Sequence, residues 1–272
     1  MSFADLSLHP ILINRLAELK YQQPTPIQLQ AIPVILSGKD VMAGAQTGTG
    51  KTAAFALPLL HQLLTHKDAL VAQPDTQHIH LTPITALVLV PTRELAQQVH
   101  SSIEQYAYGS SVTSVMVYGG VSIGEQIRLL ANGTNILVAT PGRLLDLLRK
   151  RALSLSQLTH LVFDEADRML DMGFKDEIVE VLKRLPSTRQ TLLFSATLDD
   201  RMLSFSRRLL RSPQVIEVAQ RNTTASSIVE RVFNVDANRK CAMLCHLIIQ
   251  ESWLQSLIFS RTKQGADALV KQ

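Results

Sequence analysis

The sequence predicts an α/β fold, namely a doubly wound parallel sheet with helices on both faces. Short apolar runs alternate with segments of helical periodicity through residues 1–210, and several runs are apolar at consecutive positions. Consecutive apolar residues favour strands buried on both faces, and strand–helix alternation favours right-handed crossovers. The predicted strands are Asp40–Ala43, Ala86–Val90, Ser114–Val117, Ile136–Ala139, His160–Phe163 and Thr191–Phe194. The predicted helices are Ala53–Thr65, Arg93–Tyr106, Ile123–Ala131, Arg143–Arg149 and Lys175–Arg184.

Composition and charge narrow the function classes. The chain has 272 residues, of which 46% are apolar and 18% charged, so it can bury a substantial core and is not disordered in bulk. The net charge is +4, but residues 1–200 carry 16 basic and 18 acidic side chains whereas residues 201–272 carry 11 and 5. A polyanion that binds to residues 1–200 must therefore be held by a local cluster of charge.

Cysteine usage and the N-terminal residues predict a soluble, cytoplasmic protein. Cys241 and Cys245 are too few for a secreted disulfide framework, and their spacing on a helix predicts buried structural thiols. Met1–Pro10 has neither the basic nor the apolar segment of a signal peptide, and no apolar run reaches the ~18 residues of a membrane span. The histidines and cysteines lack metal-ligand spacing, so we expect no zinc site.

The character of the sequence changes near residue 210, which predicts two domains. We assign residues 1–218 to a first domain and residues 219–228, rich in Thr, Ser and Asn, to a linker. Residues 229–272 suit the start of a second α/β domain that is too short to fold alone, so we expect a truncated chain. Lys67–Pro83 is predicted to be a surface loop. The remaining predicted elements are the strands Val215–Val218, Glu230–Val235 and Ser256–Phe259 and the helices Arg239–Gln250 and Lys263–Gln272.

A phosphate-binding loop is predicted directly after the first strand. The residues Ala45-Gln46-Thr47-Gly48-Thr49-Gly50-Lys51-Thr52 fit the loop pattern, except that Ala45 replaces its first glycine. Gly48 and Gly50 let the backbone wrap around a phosphate at a helix N-terminus. Lys51 would reach the β- and γ-phosphates, and Thr52 would offer its hydroxyl to Mg²⁺. The alternative is a simple strand–helix connection.

A cluster of acidic residues follows the strand His160–Phe163. An apolar strand that ends in carboxylates places them at the carboxyl edge of a parallel sheet, where α/β proteins bind ligands. Asp164 would hold Mg²⁺, and Glu165 would orient and activate an attacking water. Asp167 has no nucleotide role that its position alone suggests. The alternative is an N-cap cluster for the next helix, since acidic residues favour first turns.

The order of these and further motifs resembles the DEAD-box ATP-dependent RNA helicases. The motifs are Thr25-Pro26-Ile27-Gln28, Ala45–Thr52, Pro91-Thr92-Arg93-Glu94-Leu95-Ala96, Gly119-Gly120, Thr140-Pro141-Gly142-Arg143, Asp164-Glu165-Ala166-Asp167, Ser195-Ala196-Thr197 and Leu257–Thr262. Ser2-Phe3 and Tyr21–Leu60 are most similar to the bacterial RhlE-type subgroup. The resemblance implies that residues 1–218 form a RecA-like ATP-binding domain and that residues 229–272 begin a second one.

The resemblance also assigns an adenine-binding segment. Tyr21–Gln28 resembles the family's Q motif, with Phe3 as its upstream aromatic residue and Thr25 within it. The Gln28 amide would donate and accept hydrogen bonds at the adenine edge, and Tyr21 would stack on the purine. Without the family context, the Pro-Thr-Pro run would be interpreted as a turn that enters a helix.

Further matches imply an RNA-binding surface and a link to hydrolysis. Arg93, Gly119, Gly120, Thr140 and Arg143 match the family's RNA-contacting motifs in the first domain. Such contacts read the RNA backbone and 2′-hydroxyls rather than base sequence. Each arginine taken alone could be a solvated surface residue. The hydroxyls of Ser195 and Thr197 would hydrogen-bond Asp167 and couple hydrolysis to domain closure, although the same residues could simply cap the next helix.

The function implied is that of an ATP-dependent RNA helicase that couples ATP and Mg²⁺ binding and hydrolysis to RNA binding and duplex unwinding. The family's second-domain motifs HRxGRxxR and ARGxD do not occur in the 272 residues. An arginine that reaches the transferring phosphoryl group is worth ~10³–10⁵ in rate. The alternative is therefore an adenine-nucleotide-binding module with weak RNA binding and little or no catalysis. A DNA helicase is disfavoured by the Q-motif and Asp-Glu-Ala-Asp matches together.

Overall fold

The computed structural model describes residues 2–46, 48–71, 82–218, 229 and 231–271, and of residues 69–71 it describes the backbone alone. The chain divides into two compact units, Met1–Arg221 and Asn222–Gln272. The division falls inside the predicted linker, residues 219–228, which lies outside the described residues. Within the described ranges no helix is both long and apolar enough to cross a membrane.

The first unit is built on a seven-stranded sheet in which all neighbouring strands are parallel. The spatial order is β3-β4-β2-β5-β6-β1-β7, which confirms the predicted α/β fold class. The strands are β1 (Val41–Gly44), β2 (Ala86–Leu89), β3 (Ser114–Val117), β4 (Ile136–Ala139), β5 (His160–Phe163), β6 (Gln190–Ser195) and β7 (Gln214–Glu217).

Helices cover both faces of this sheet. After a 3₁₀ helix at Phe3–Leu6, they are α1 (Pro10–Glu18), α2 (Pro26–Leu36), α3 (Lys51–Val71), α4 (Arg93–Ala107), α5 (Ile123–Leu130), α6 (Pro141–Arg149), α7 (Ala166–Asp171), α8 (Lys175–Leu182) and α9 (Asp200–Leu209). In β2, Val88 packs into the layer of α1 to α4, whereas Leu87 and Leu89 pack into the layer of α6, α8 and α9. All three are fully buried, which is why apolar residues are consecutive in this strand.

Several helix boundaries differ from the sequence prediction. Helices α1, α2, α7 and α9 were not predicted. Helix α2 is apolar on nearly all sides and contains Pro33, and α7 has only 6 residues, too few to show helical periodicity. The loop predicted at Lys67–Pro83 is wrong at its start, because α3 continues to Val71. There the Lys67 ammonium donates to the Ser111 carbonyl at 2.6 Å and to Asn135 Oδ1 at 3.0 Å, which anchors this turn of helix.

The second unit contains a 3₁₀ helix at Ala237–Arg239, α10 (Lys240–Gln250) and α11 (Lys263–Lys271). The predicted strand Ser256–Phe259 is wrong, and so is Glu230–Val235 over its described residues. A strand requires a neighbour for its backbone groups, and no pairing is formed in the described part of this unit. Cys245 is exposed and Cys241 only half-buried, so the prediction of buried thiols is also wrong.

The buried carboxylate of Asp40 ties together the strands that carry the candidate site. It accepts hydrogen bonds from the Thr191 N–H at the start of β6, at 2.8 Å, and from the Arg211 N–H before β7, at 2.7 Å. The Asp40 carbonyl accepts from the Gln214 N–H at 2.8 Å. One residue at the entry to β1 therefore fixes the register of three adjacent strands.

We expect Asp40→Ala to lower the free energy of unfolding by about 2–5 kcal/mol, because the buried Thr191 N–H loses its acceptor at about 1–3 kcal/mol and the partly buried Arg211 N–H loses its acceptor at a smaller cost. Asp40→Asn retains one carbonyl acceptor and should lose about half as much. Urea unfolding followed by circular dichroism measures both losses. The control Asp176→Ala, at an exposed position in α8, should change the value by less than about 1 kcal/mol. Equal losses in Asp40→Ala and the control would contradict this role.

Candidate nucleotide site and adjoining groove

The candidate site residues gather at one edge of the sheet. Because the strands are parallel, the segments that follow them all emerge at the carboxyl edge, where open α/β sheets bind ligands. These segments contain Ala45–Thr52 after β1, Arg93 after β2, Gly119 and Gly120 after β3, Thr140 and Arg143 after β4, Asp164 to Asp167 after β5, and Ser195 to Thr197 at the end of β6.

The predicted phosphate-binding loop joins β1 to the long helix α3. Gly48 and Gly50 adopt φ values of +85° and +93°, which residues other than glycine rarely adopt. Ala45 is buried, Gln46 is exposed, and Thr47 lies outside the described residues. Thr49 closes the turn, because its hydroxyl donates to the Gln46 carbonyl at 2.7 Å. The loop ends where α3 begins, so helix N–H groups face this edge.

Lys51 and Thr52 are the first two residues of α3. Lys51 is only 7% exposed, and its Nζ is buried with no hydrogen-bond partner among the described residues. A buried ammonium without a partner is costly and is stabilised by an anion. Burial, opposed by the nearby charge of Lys51, raises the pKa of Asp164 to about 6. The pair therefore places an unsatisfied cation and a carboxylate side by side, an arrangement that suits a phosphate with a divalent metal ion.

Glu165 leaves β5 in a left-handed conformation, with φ 54° and ψ 51°. This conformation is strained for a residue with a side chain, and such strain is concentrated at functional sites. The Glu165 N–H donates to Asp164 Oδ1 at 3.1 Å, and its carboxylate pairs with Arg168 Nη1 at 3.2 Å. Glu165 occupies the N-cap position of α7 but makes no side-chain capping bond, so capping does not account for this residue.

Asp167 connects the end of β5 to the end of β6. Its Oδ2 accepts hydrogen bonds from the Ala196 N–H at 3.1 Å, the Thr197 N–H at 3.1 Å and the Thr197 hydroxyl at 3.2 Å. The Ser195 hydroxyl instead donates to the Thr197 carbonyl at 2.6 Å, so the expected bond from Ser195 to Asp167 is not formed. Asp199 caps α9, which excludes Ser195 and Thr197 from that role.

Gln28 braces the phosphate-binding loop, a contact that the sequence did not indicate. The side chain is 2% exposed; its Oε1 accepts from the Thr25 N–H at 2.9 Å, and its Nε2 donates to the Gly50 carbonyl at 3.0 Å. A Cβ at Gly50 would collide with Gln28 Nε2. Both ends of the Gln28 amide are therefore engaged within the protein.

Tyr21 belongs to an aromatic cluster at the start of the first unit. Its ring meets Phe3 and Tyr106 edge to face, at centroid distances of 6.2 and 6.0 Å, and its hydroxyl lies 3.1 Å from that of Tyr106. Burial raises the pKa of Tyr106, so this hydroxyl stays protonated. Tyr21 is 40% exposed and offers a free ring surface, whereas Phe3 is buried and supports Tyr21 from below.

The residues predicted to contact RNA line a single groove of about 650 Å³. The structure brings Arg93, Gly119, Gly120, Thr140 and Arg143 together in it. The Arg93 guanidinium lies 5.0 Å from the centre of the Tyr118 ring. Sequence reasoning missed other lining residues, namely Glu94, Asp146, Met172 and Phe174. Met172 and Phe174 follow α7 and carry no motif, so only the fold reveals their place in the groove.

The comparison with protein families agrees with this arrangement. The model of the DEAD/DEAH box helicase family matches residues 25–205, which contain the phosphate-binding loop, the acidic cluster and the groove. Among the described residues there is no group of three or more His, Cys, Asp or Glu side chains that could hold a metal ion.

Individual relatives support the same assignment. The chain is 40% identical to the RNA helicase CrhR of Synechocystis over 272 residues, and 37% identical to the DEAD-box ATP-dependent RNA helicase CshA of Streptococcus pneumoniae over 271 residues. It is 40% identical over 279 residues to the probable ATP-dependent RNA helicase ddx3 of Dictyostelium discoideum, of which it covers 38%. The chain spans about half the length of the first two, 52% and 49%. With the family model matching well over half of its residues, the chain belongs to the DEAD/DEAH box helicase family.

Proposed function

We propose that this protein binds ATP and hydrolyses it to drive the remodelling of RNA, as an ATP-dependent RNA helicase. The observation that carries the proposal is the buried, unpartnered Nζ of Lys51 beside Asp164, at the sheet edge that also carries the groove. A cation without a partner at a helix N-terminus is suited to phosphate. The names of the relatives support the same function for this chain.

The loop Ala45–Thr52 would hold the phosphates of the nucleotide, with Lys51 on the β- and γ-phosphates. Thr52 and Asp164 would hold Mg²⁺, a hard cation that prefers oxygen ligands. Mg²⁺ bound there supplies positive charge to the phosphate oxygens. The donor set fits, because a hydroxyl and a buried carboxylate lie next to the lysine. Tyr21 would stack on the base through its exposed ring surface.

Glu165 would accept a hydrogen bond from the attacking water and take its proton, giving ADP and inorganic phosphate. Its carboxylate makes no capping bond to α7 and pairs instead with the exposed Arg168 side chain. Asp167 and Thr197 would transmit the state of this site, since their hydrogen bonds join the segments after β5 and β6. Ser195 supports that segment through the Thr197 backbone.

The groove would hold the RNA backbone. Arg93 is exposed and supplies charge, Thr140 supplies backbone and hydroxyl groups, and Gly119 and Gly120 let a phosphate approach the main chain. Because these groups recognise phosphates and 2′-hydroxyls, binding would not depend on base sequence. Because residues 1–200 carry two more acidic than basic side chains, RNA affinity would depend on the local charge of the groove.

A second candidate is favoured by the fact that the relatives are about twice as long as these 272 residues. In this alternative the 272 residues by themselves bind adenine nucleotides, bind RNA weakly, and catalyse little.

Steady-state ATP turnover separates the two functions. The helicase function predicts turnover that rises with single-stranded RNA and is lost in Glu165→Gln. The binding function predicts nucleotide binding by calorimetry with no RNA-stimulated turnover. Strand displacement of an RNA duplex, measured in parallel, should follow turnover; displacement without turnover would contradict both functions.

Lys51→Ala should weaken Mg²⁺–ADP binding by about 10- to 150-fold, because it removes a charged hydrogen-bond donor worth about 1.5–3 kcal/mol. Glu165→Gln, the matched variant at the same site, should change affinity by less than about threefold, since it would act on water during hydrolysis. Isothermal titration calorimetry measures both. An equal loss of affinity in the two variants would refute the assigned roles.

Wild-type protein should bind ADP more tightly than GDP, because the Gln28 amide keeps a second N–H and a second oxygen lone pair for the adenine edge. Gln28→Ala should lose both that preference and part of the ADP affinity. The second loss is expected because Gln28 braces the Gly50 carbonyl. Gln28→Glu keeps the acceptor for the Thr25 N–H but places a buried carboxylate against the Gly50 carbonyl, so its ADP affinity should fall at least as far as that of Gln28→Ala. Calorimetry with both nucleotides is the measurement. Equal wild-type affinity for ADP and GDP would disprove adenine selection.

A further inference from the structure

The guanidinium of Arg143 donates two hydrogen bonds within the protein. Its Nη1 donates to Gln126 Oε1 at 2.8 Å, and its Nη2 donates to the Val121 carbonyl at 2.9 Å. Each bond uses one of the two N–H groups on its terminal nitrogen. The two N–H groups that hold these acceptors cannot be given to a phosphate at the same time.

Gln126 links Arg143 to the segment Tyr118–Val121 at a second point. It is 5% exposed on α5, and its Nε2 donates to the Tyr118 carbonyl at 3.1 Å. Arg143 and Gln126 thus hold the carbonyls of Tyr118 and Val121. Between these two fixed points lie only Gly119 and Gly120.

The two glycines need such support. Gly120 adopts φ +83°, and nothing lies within 4 Å of a Cβ built at either glycine, so no side-chain packing restrains them. Glycine has more backbone freedom to lose than any other residue, and an unsupported pair would sample many conformations. Both glycines are exposed on the groove. Their conformation therefore depends on the hydrogen bonds at each end.

We propose that Arg143 and Gln126 are positioning residues that hold the Gly119–Gly120 backbone in the conformation that receives an RNA phosphate. In this role Arg143 acts through the segment and not as a phosphate-binding charge. The inference rests on the proposed RNA binding of the groove. It also extends to Arg93, because Tyr118, whose carbonyl Gln126 holds, carries the ring beneath the Arg93 guanidinium.

Salt dependence distinguishes a positioning arginine from a phosphate-binding one. Each cation that neutralises a phosphate of single-stranded RNA adds about 0.7 to the slope of log affinity against log salt concentration. A backbone N–H carries no net charge and adds nothing comparable. Loss of a positioning residue therefore weakens binding without changing the slope, whereas loss of a phosphate-binding arginine changes both.

The experiment measures binding of fluorescein-labelled single-stranded oligouridylate by anisotropy over a salt series. Arg143→Ala, Gln126→Ala and the double variant should each lose roughly three- to tenfold in affinity, with the wild-type slope, and the two losses should not add. Arg143→Lys should fail to restore affinity, because an ammonium cannot bridge both acceptors. Arg93→Ala should reduce the slope by about 0.7. Arg128→Ala, at an exposed position of α5, is the matched control and should match the wild type.

Hydrogen exchange without RNA tests the positioning step separately. The amides of residues 118–122 should exchange faster in Arg143→Ala and in Gln126→Ala than in the wild type or Arg128→Ala, with unchanged protection in β4 and β5. Restored affinity in Arg143→Lys together with a lower slope in Arg143→Ala would overturn the proposal, as would unchanged exchange in both variants. Wild-type protein that does not bind RNA at all would refute the proposed function, while the exchange result still decides whether the segment is held in this way.

Discussion

Parallel pairing of all the strands is the constraint on which both candidate sites depend. Because the strands run in the same direction, every segment that follows a strand emerges at one edge of the sheet, and groups far apart in sequence come close together there. The central strands β1, β5 and β6 bring Lys51, Asp164 and Thr197 together, and β2, β3 and β4 form the groove beside them. Asp40 fixes β1 against β6 and β7 at the edge where these strands begin. The alignment of the site at the carboxyl edge therefore depends on hydrogen bonds at the opposite edge of the sheet.

The candidate nucleotide site brings two buried charged groups together. Lys51 is buried without a hydrogen-bond partner, and Asp164 is buried enough for its pKa to rise to about 6 despite that lysine. Neither charge is well solvated, and the surrounding core holds both groups in place. An anion accompanied by a divalent cation would satisfy both groups at once. Binding of this kind is selective for charge number as well as for shape.

Local sequence predicted the parts of the fold that depend on local pattern. The strands β3, β4 and β5 have the predicted bounds, because their apolar runs lie between clear breaks. The strand predicted at Ser256–Phe259 fails because a strand is defined by its neighbours. The same holds for the candidate site. The motifs place Asp167 and Arg143 at the carboxyl edge of the sheet, whereas the hydrogen-bond partners of these two residues depend on tertiary packing. No pattern in the sequence indicates that Gln28 reaches the Gly50 carbonyl or that Arg143 turns toward Gln126.

The two glycine-containing segments of the site are supported in the same way. Gln28 holds the Gly50 carbonyl from α2, and Gln126 holds the Tyr118 carbonyl from α5; in both cases the other end of the amide is also hydrogen-bonded. A neutral amide donates and accepts at one buried position without adding a charge. A lysine or carboxylate in its place would add its own charge to a site proposed to recognise phosphate, and it would be costly to bury. Glutamine thus restrains a glycine backbone while leaving the electrostatics of the site to Lys51, Asp164 and Arg93.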